Sequence, residues 1–228
     1  MSQTQKRTAL RKGREQAQRK GDILRSAREV FFKKGFLSTT MDEIARGCDL
    51  AKGTIYLYFK SKEELYISLM VEGLGLLRDD LNTIGVLDLQ ADQLLGEILG
   101  VYFAFYQKNP QYFRIMFLSS QPDVRERVRD ELMQECLGRA VECMQVLNEI
   151  IEKGTRSGIF RKVDSWSCAI IVWTTINGII TQYEQDPFYR CEILKVNLEE
   201  MLRAALELAL GGLLINNPSE QGKAKSAS

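Results

Sequence analysis

The stretch "TTMDEIARGCDLAKGTIYLYFKSKEEL" (39–65) decides how this chain is read. Thr40 stands three residues before Glu43 and Ser61 three before Glu64, the reciprocal spacing that caps a helix start. Between the two caps, a helix beginning near Ala51 and advancing about 100° per residue puts Ile55 and Phe59 on one side, ready to pack. Gly53, Thr54 and Leu57 then face away, flanked by Tyr56 and Tyr58, with Lys52 free at the N-terminal end. An outward glycine costs a helix about 1 kcal/mol relative to alanine, which makes sense where another surface must come close. Duplex DNA fits: a short helix after a tight turn enters the major groove, its N-terminal residues facing base edges. Lysines attract phosphates, tyrosine hydroxyls fix register, and the helix starts at Thr40 and Ser61 offer unpaired N–H groups.

Working outward, "ILRSAREVFFKKGF" (23–36) places Ile23, Ala27, Val30 and Phe31 on one helix face, and Gly35 suits its C-terminal stop. Four helices within about 50 residues follow from these signals. Residues 1–21 lack an apolar period and carry seven basic side chains, which reads as a basic flexible arm, helical at most near its end. Lys6, Arg7, Arg11 and Lys12 are its candidates for a sequence-independent or minor-groove DNA contact, the plain alternative being a solvated charge run. The net charge of +1 hides an asymmetry: residues 1–60 hold 14 Lys/Arg against 6 Asp/Glu, and the remainder 17 against 24. The front end therefore attracts an anionic partner and the back end repels it.

The two quoted segments resemble the TetR family of one-component transcriptional regulators. The family pattern reads roughly I-L-x-x-A-x-x-x-F-x-x-x-G, then T-x-x-x-I-A, a turn, and K-G-T-[IL]-Y-x-[HY]-F-x-[ST]-K-E-x-L. The match covers residues 23–65, about a fifth of the chain. The resemblance implies that Thr40 and Lys62 hold phosphates from the starts of the second and fourth helices. It also implies that Lys52, Gly53, Thr54, Tyr56 and Tyr58 form the reading helix and its anchors on double-stranded DNA. The chain departs from the pattern at the turn, where Cys48, Asp49, Leu50 and Ala51 replace the usual Ala-Gly-Val-Ser. Asp tolerates the left-handed conformation, whereas losing the Ser cap typically costs about 1 kcal/mol. Leu57 replaces a frequent aromatic and meets a thymine methyl or nothing.

The composition excludes several alternatives. Apolar residues make up 45% and charged residues 27%, an ordinary globular balance. The complete absence of His removes the commonest general base, the Ser-His and Cys-His couples and the commonest zinc ligand. No enzyme activity, cofactor or metal is expected. The basic N-terminus lacks the apolar segment of a secretory signal, and the most apolar run, "CAIIVWTTINGII", is 13 residues long, short of the roughly 20 needed to span a bilayer. Five cysteines without CxxC spacing read as reduced thiols. Together these predict a cytoplasmic protein with no membrane partner.

Beyond Leu65 the chain reads helical throughout, with breaks near Gly85–Leu89, Asn109-Pro110, Gln121-Pro122, Gly154–Gly158 and Asp186-Pro187. The expected architecture is all-α: a basic arm (1–21), a three-helix helix-turn-helix DNA-binding domain (22–67), a helical ligand-binding and dimerisation bundle (68–215), and a disordered tail (216–228). Specificity needs a homodimer, with two reading helices about 34 Å apart on a palindromic operator. "WSCAIIVWTTINGIITQYEQD" is apolar on nearly every side, with Thr174 and Gly178 as a small-residue seam. The last helix adds a stripe including Leu198, Leu202, Ala205 and Ala209. These two helices make a four-helix dimer interface or fill the monomer core. Seven of the 18 Phe and Tyr residues fall within residues 102–117. Tyr102, Phe103, Tyr106, Phe113 and Phe117, with Trp173 and Asn177 as a wall with one polar handle, line a pocket for a hydrophobic or aromatic small-molecule effector, or simply pack around Pro110. The expected function is a ligand-responsive regulator that represses; the alternatives are a nucleoid or cell-division factor without an inducer and, remotely, a helical enzyme.

Overall fold

A computed structural model describes residues 3–118, 122–186 and 197–215. Within them the helices are α1 (Gln3–Lys34), α2 (Met41–Gly47), α3 (Lys52–Tyr56), α4 (Lys62–Asn82), α5 (Ala91–Lys108), α6 (Pro110–Phe113), α7 (Asp130–Arg156), α8 (Ser165–Gln185) and α9 (Leu198–Leu213). A π turn covers Arg114–Leu118 and a 3-10 turn Pro122–Arg127. The fold is all-α as the sequence predicts; extended pairing among the described residues is limited to one bridge between Phe160 and Leu214. Breaks fall at the predicted loops after Asn82, at Asn109, and at Gly158, whose φ of +74° turns the chain. The predicted tail (216–228), Pro187 and Cys191 lie outside the described residues.

One expectation is corrected. The flexible arm is helix: α1 runs without interruption from Gln3 to Lys34. An apolar period is not required when most residues are good helix formers and side chains pair one turn apart. Arg11 meets Glu15 at 2.8 Å, and Gln18 donates to Asp22. Gly35, at φ +75°, ends the helix as predicted.

The chain divides into two compact units, one of Met1–Leu76 with Asn109–Ala140, the other of Leu77–Lys108 with Val141–Ser228. The segment read as the DNA-binding domain (22–67) lies wholly within the first unit, which also takes in residues 109–140. The contacts responsible are specific: the Tyr66 hydroxyl donates to the Ile115 carbonyl at 2.7 Å, and Ser61 to the Arg127 carbonyl at 3.1 Å. Tyr112 and Met116 lie so close to Gly73 that an added Cβ would come within 3.0 Å of the Tyr112 ring. The core of this unit holds Ile23, Ala27, Ile44, Ile55 and Leu65, with Phe31, Phe36 and Tyr66 in edge and stacked contact. In the second unit α9 packs on α8 and α5. The Phe160 ring lies on the bare backbone of α7 at Gly154, where a Cβ would come within 2.1 Å of it.

Candidate nucleic-acid interface

Both predicted caps form. The Glu43 N–H donates to the Thr40 hydroxyl at 3.3 Å, and the Thr40 N–H donates to the Glu43 carboxylate at 3.1 Å. At α4 the Glu64 N–H donates to Ser61 Oγ at 3.1 Å, while the Glu64 carboxylate accepts from the Lys60 N–H at 2.7 Å. Lys34 donates to Glu43, and this bond, ahead of the Thr40 N–H, holds the Glu43 carboxyl below its ordinary range. Between α2 and α3 the turn is made at Asp49, whose φ is +52°, so the left-handed residue is the one the sequence offered. Ala51 occupies the start of α3 and supplies no side-chain cap.

Ile55 and Phe59 are 0% and 1% exposed, and they fix α3 from behind. In front of them Lys52 and Gly53 are exposed, and nothing lies within 4 Å of a Cβ built on Gly53. Tyr56 and Leu57 are exposed, while Thr54 and Tyr58 are half-buried. The result is a short helix with its open Gly53 backbone standing out of a buried base, flanked by the exposed Lys52 and Tyr56. At the start of α3 the Lys52 and Gly53 N–H groups precede any intrahelical acceptor, whereas the Thr54 N–H already donates to the Ala51 carbonyl at 2.8 Å.

The two lysines of the motif differ. Lys52 Nζ donates to Asp42 at 2.7 Å on the surface, a contact that raises its pKa. Lys62 Nζ instead donates to the Phe36 and Thr39 carbonyls at 2.8 and 2.9 Å, and to that of Leu37 at 3.4 Å. It also sits 4.4 Å from the Phe36 ring centroid, and burial lowers its pKa. This ammonium ties the α1–α2 turn to the start of α4. Sequence reasoning missed Asp42 and a basic rim of Lys33, Lys34 and Arg46 beside Glu43; the last-turn position of these cations on α1 and α2 was the available signal.

The residues expected to line an effector pocket fall in both units. Tyr102, Phe103, Tyr106, Trp173 and Asn177 belong to the second, whereas Phe113 and Phe117 belong to the first, with ring centroids 4.8 Å apart. Asn177 is not a free polar handle: its Oδ1 accepts from the buried Tyr102 hydroxyl, and its Nδ2 donates to the Trp173 carbonyl at 2.8 Å. Tyr106 donates to Glu184, so two tyrosines one turn apart join α5 to α8. Phe103 stacks on Tyr106 and lines a groove of about 220 Å³ with Gly96, Gly100 and Leu202.

Of the dimer candidates, Thr174 and Gly178 are exposed on α8, and Ala205 and Ala209 line a groove of about 570 Å³ with Ile171, Ile176 and Leu208. Leu198 and Leu202 are instead 7% and 1% exposed within the protomer, so they are core residues and not a docking surface. The larger groove is almost wholly apolar, lacking the few convergent polar groups that orient a small molecule, while Ile171 and Leu208 stand 63% and 79% exposed beside it. It has the character of a protein interface.

Residues 23–69 match the family model for bacterial regulatory proteins of the tetR family. The HTH-type transcriptional repressor NicS of Pseudomonas putida is 30% identical over 149 residues, which is 64% of this chain and 68% of NicS. An uncharacterized HTH-type transcriptional regulator of Bacillus subtilis, YerO, is 47% identical over 51 residues, 22% of this chain but only 18% of YerO's own length. Among solved structures, the regulator FadR from Bacillus subtilis in complex with stearoyl-CoA shares the fold, with a TM-score of 0.67 and 24% identity over 84% of this chain and 97% of FadR. The capped α2, the left-handed turn and the outward tip of α3 define a helix-turn-helix transcriptional regulator. The chain belongs to the TetR family of bacterial regulatory proteins. Among the described residues no helix is long and apolar enough to cross a membrane.

Proposed function

We propose that the protein is a cytoplasmic, non-enzymatic repressor that binds a palindromic operator as a homodimer and is released by a small hydrophobic effector. The observation that carries this reading is the open space around Gly53, in front of the buried Ile55 and Phe59. A buried base with an uncrowded tip, where the first N–H groups of α3 face out, suits close approach to base edges, with Lys52, Tyr56 and Tyr58 at its sides. The Thr40 cap puts the first N–H groups of α2 beside a phosphate. Pairing follows from the exposed face of α8 at Ile171, Thr174 and Gly178 and the α9 groove at Ala205, Leu208 and Ala209, covered by the same face of a second copy.

The effector class rests on the aromatic wall of α5 and on FadR, a protein of the same fold solved with stearoyl-CoA. Binding in the second unit shifts the dimer between two spacings of its reading helices, by no more than the ligand's differential affinity for the two states. In a gel-retardation series on genomic fragments, Lys52→Ala and Tyr56→Ala abolish operator retention while the elution volume of the dimer stays unchanged. Undiminished retention by both variants removes α3 as the reading element.

A further inference from the structure

The first half of α1 does nothing for the core. Every side chain described between Arg7 and Lys20 is exposed, over a helix that continues without a break into Ile23 and Ala27. Eighteen residues from Gln3 to Lys20 make a rod of about 27 Å, carrying Lys6, Arg7, Arg11, Lys12, Arg14, Arg19 and Lys20 against the single acid Glu15. At 100° per residue Arg7, Arg11 and Arg14 form one stripe, which Gln18 and Arg25 continue. Self-repulsion along such a rod opposes the helix, and no packing offsets it. A linear polyanion would.

We propose that this N-terminal rod of α1 lies along the phosphate backbone of the DNA flanking the operator half-site, extending the footprint of the reading head without reading sequence. The inference rests on the DNA-binding reading above. Three observations commit it to duplex DNA. The rod grows from the reading unit itself, with Lys20 Nζ 5.8 Å from the ring centroid of Phe59, the residue that anchors α3 from behind. Its seven cations over about 27 Å, one per roughly 4 Å, come near the spacing of a single strand of the duplex, which presents one phosphate per roughly 3.4 Å of axis. It lacks the apolar face that an anionic membrane surface requires, Leu10 being its one exposed large hydrophobic residue. Because the segment is helical, the contact is with phosphates and not inside the minor groove: an α-helix with side chains is about 10–12 Å across, and the minor groove about 6 Å wide.

The test compares the full chain with the triple variant Arg7→Gln, Arg11→Gln, Arg14→Gln. All three positions are exposed, and glutamine is as good a helix former as arginine, so circular dichroism should be unchanged. Operator duplexes cut at the half-site edges, or lengthened by about one helical turn on each side, are titrated between 50 and 200 mM salt. If the stripe engages about three phosphates per protomer, the wild-type protein on long duplexes loses about 40-fold more affinity per protomer across this range than the variant. On short duplexes the two proteins converge. Equal salt slopes and no gain from flanks, with operator preference intact, overturn the rod while leaving the reading head standing. Binding to neither duplex length above scrambled competitor overturns both. Loss in the variant of binding to phosphatidylserine vesicles, with no flank effect, assigns the rod to a membrane surface and overturns the proposal.

Discussion

Gly53→Ala separates what the reading tip does for the fold from what it does for function. The new methyl meets nothing within 4 Å, so no steric cost opposes it in the free protein. Glycine within a helix is destabilising by roughly 0.5–1 kcal/mol relative to alanine. At the second position of a helix of only five residues, the lower end, about 0.5 kcal/mol, applies. For a chain of this size that raises the midpoint of thermal unfolding by about 1–2 °C. The bound state behaves oppositely. If the backbone at Gly53 approaches DNA closely enough to need a glycine, an inserted methyl overfills the contact at about 1–3 kcal/mol, a 5- to 150-fold loss of affinity. Differential scanning fluorimetry and operator titration on the same preparation measure both. Wild-type affinity in a stabilised variant would refute the inference that DNA reaches the tip, and a lowered midpoint would refute the open environment of Gly53.

Lys62→Met should lower stability by about 1–3 kcal/mol, since three carbonyls lose one charged donor, whereas Lys52→Ala should leave the unfolding midpoint in place; urea titration of the two variants checks the contrast. Glu43 has a folded-state pKa below its unfolded value, because Lys34 and then the Thr40 N–H donate to it. Its contribution to stability is therefore complete above about pH 4.3 and is lost as pH falls through the folded-state value; Glu43→Gln should flatten that acid limb in a series of unfolding midpoints against pH. Leu208→Glu, at a position 79% exposed in the protomer, should leave helicity unchanged and shift the dimer to monomer in analytical ultracentrifugation.

Local signals were legible and long-range partners were not. The capping box at Thr40, the Ser61 cap, the left-handed Asp49 and the inward Ile55 and Phe59 depend on residues within one or two turns, so the sequence carries them. The rod of α1 was misread because a missing apolar period argues against packing, which is a different thing from arguing against helix. The roles of Lys62 and Asn177 were out of reach, since the partners of Lys62 lie 23 to 26 residues upstream and Tyr102 lies 75 residues from Asn177. On α9 one apolar stripe serves two ends: its first turns at Leu198 and Leu202 close on the protomer, and its flank turns outward at Leu208.

The contrast between Lys52 and Lys62 bears on how such a domain stays both stable and responsive. A lysine at a DNA surface must give up its partner when a phosphate arrives, and the cost of that exchange is subtracted from affinity. Lys52 is paired with Asp42 on the surface at 2.7 Å, in high dielectric where ion pairs contribute little, so if Lys52 meets a phosphate as proposed, the exchange costs little. Lys62 holds three carbonyls of the turn between α1 and α2, and withdrawing it would leave those acceptors unmet. The motif therefore assigns one lysine to exchange and one to permanence. Because Lys62 fastens the start of α4 to the α1–α2 turn, an effector that displaces α4, as proposed, would carry that turn with it, while Lys52 stays free to exchange partners.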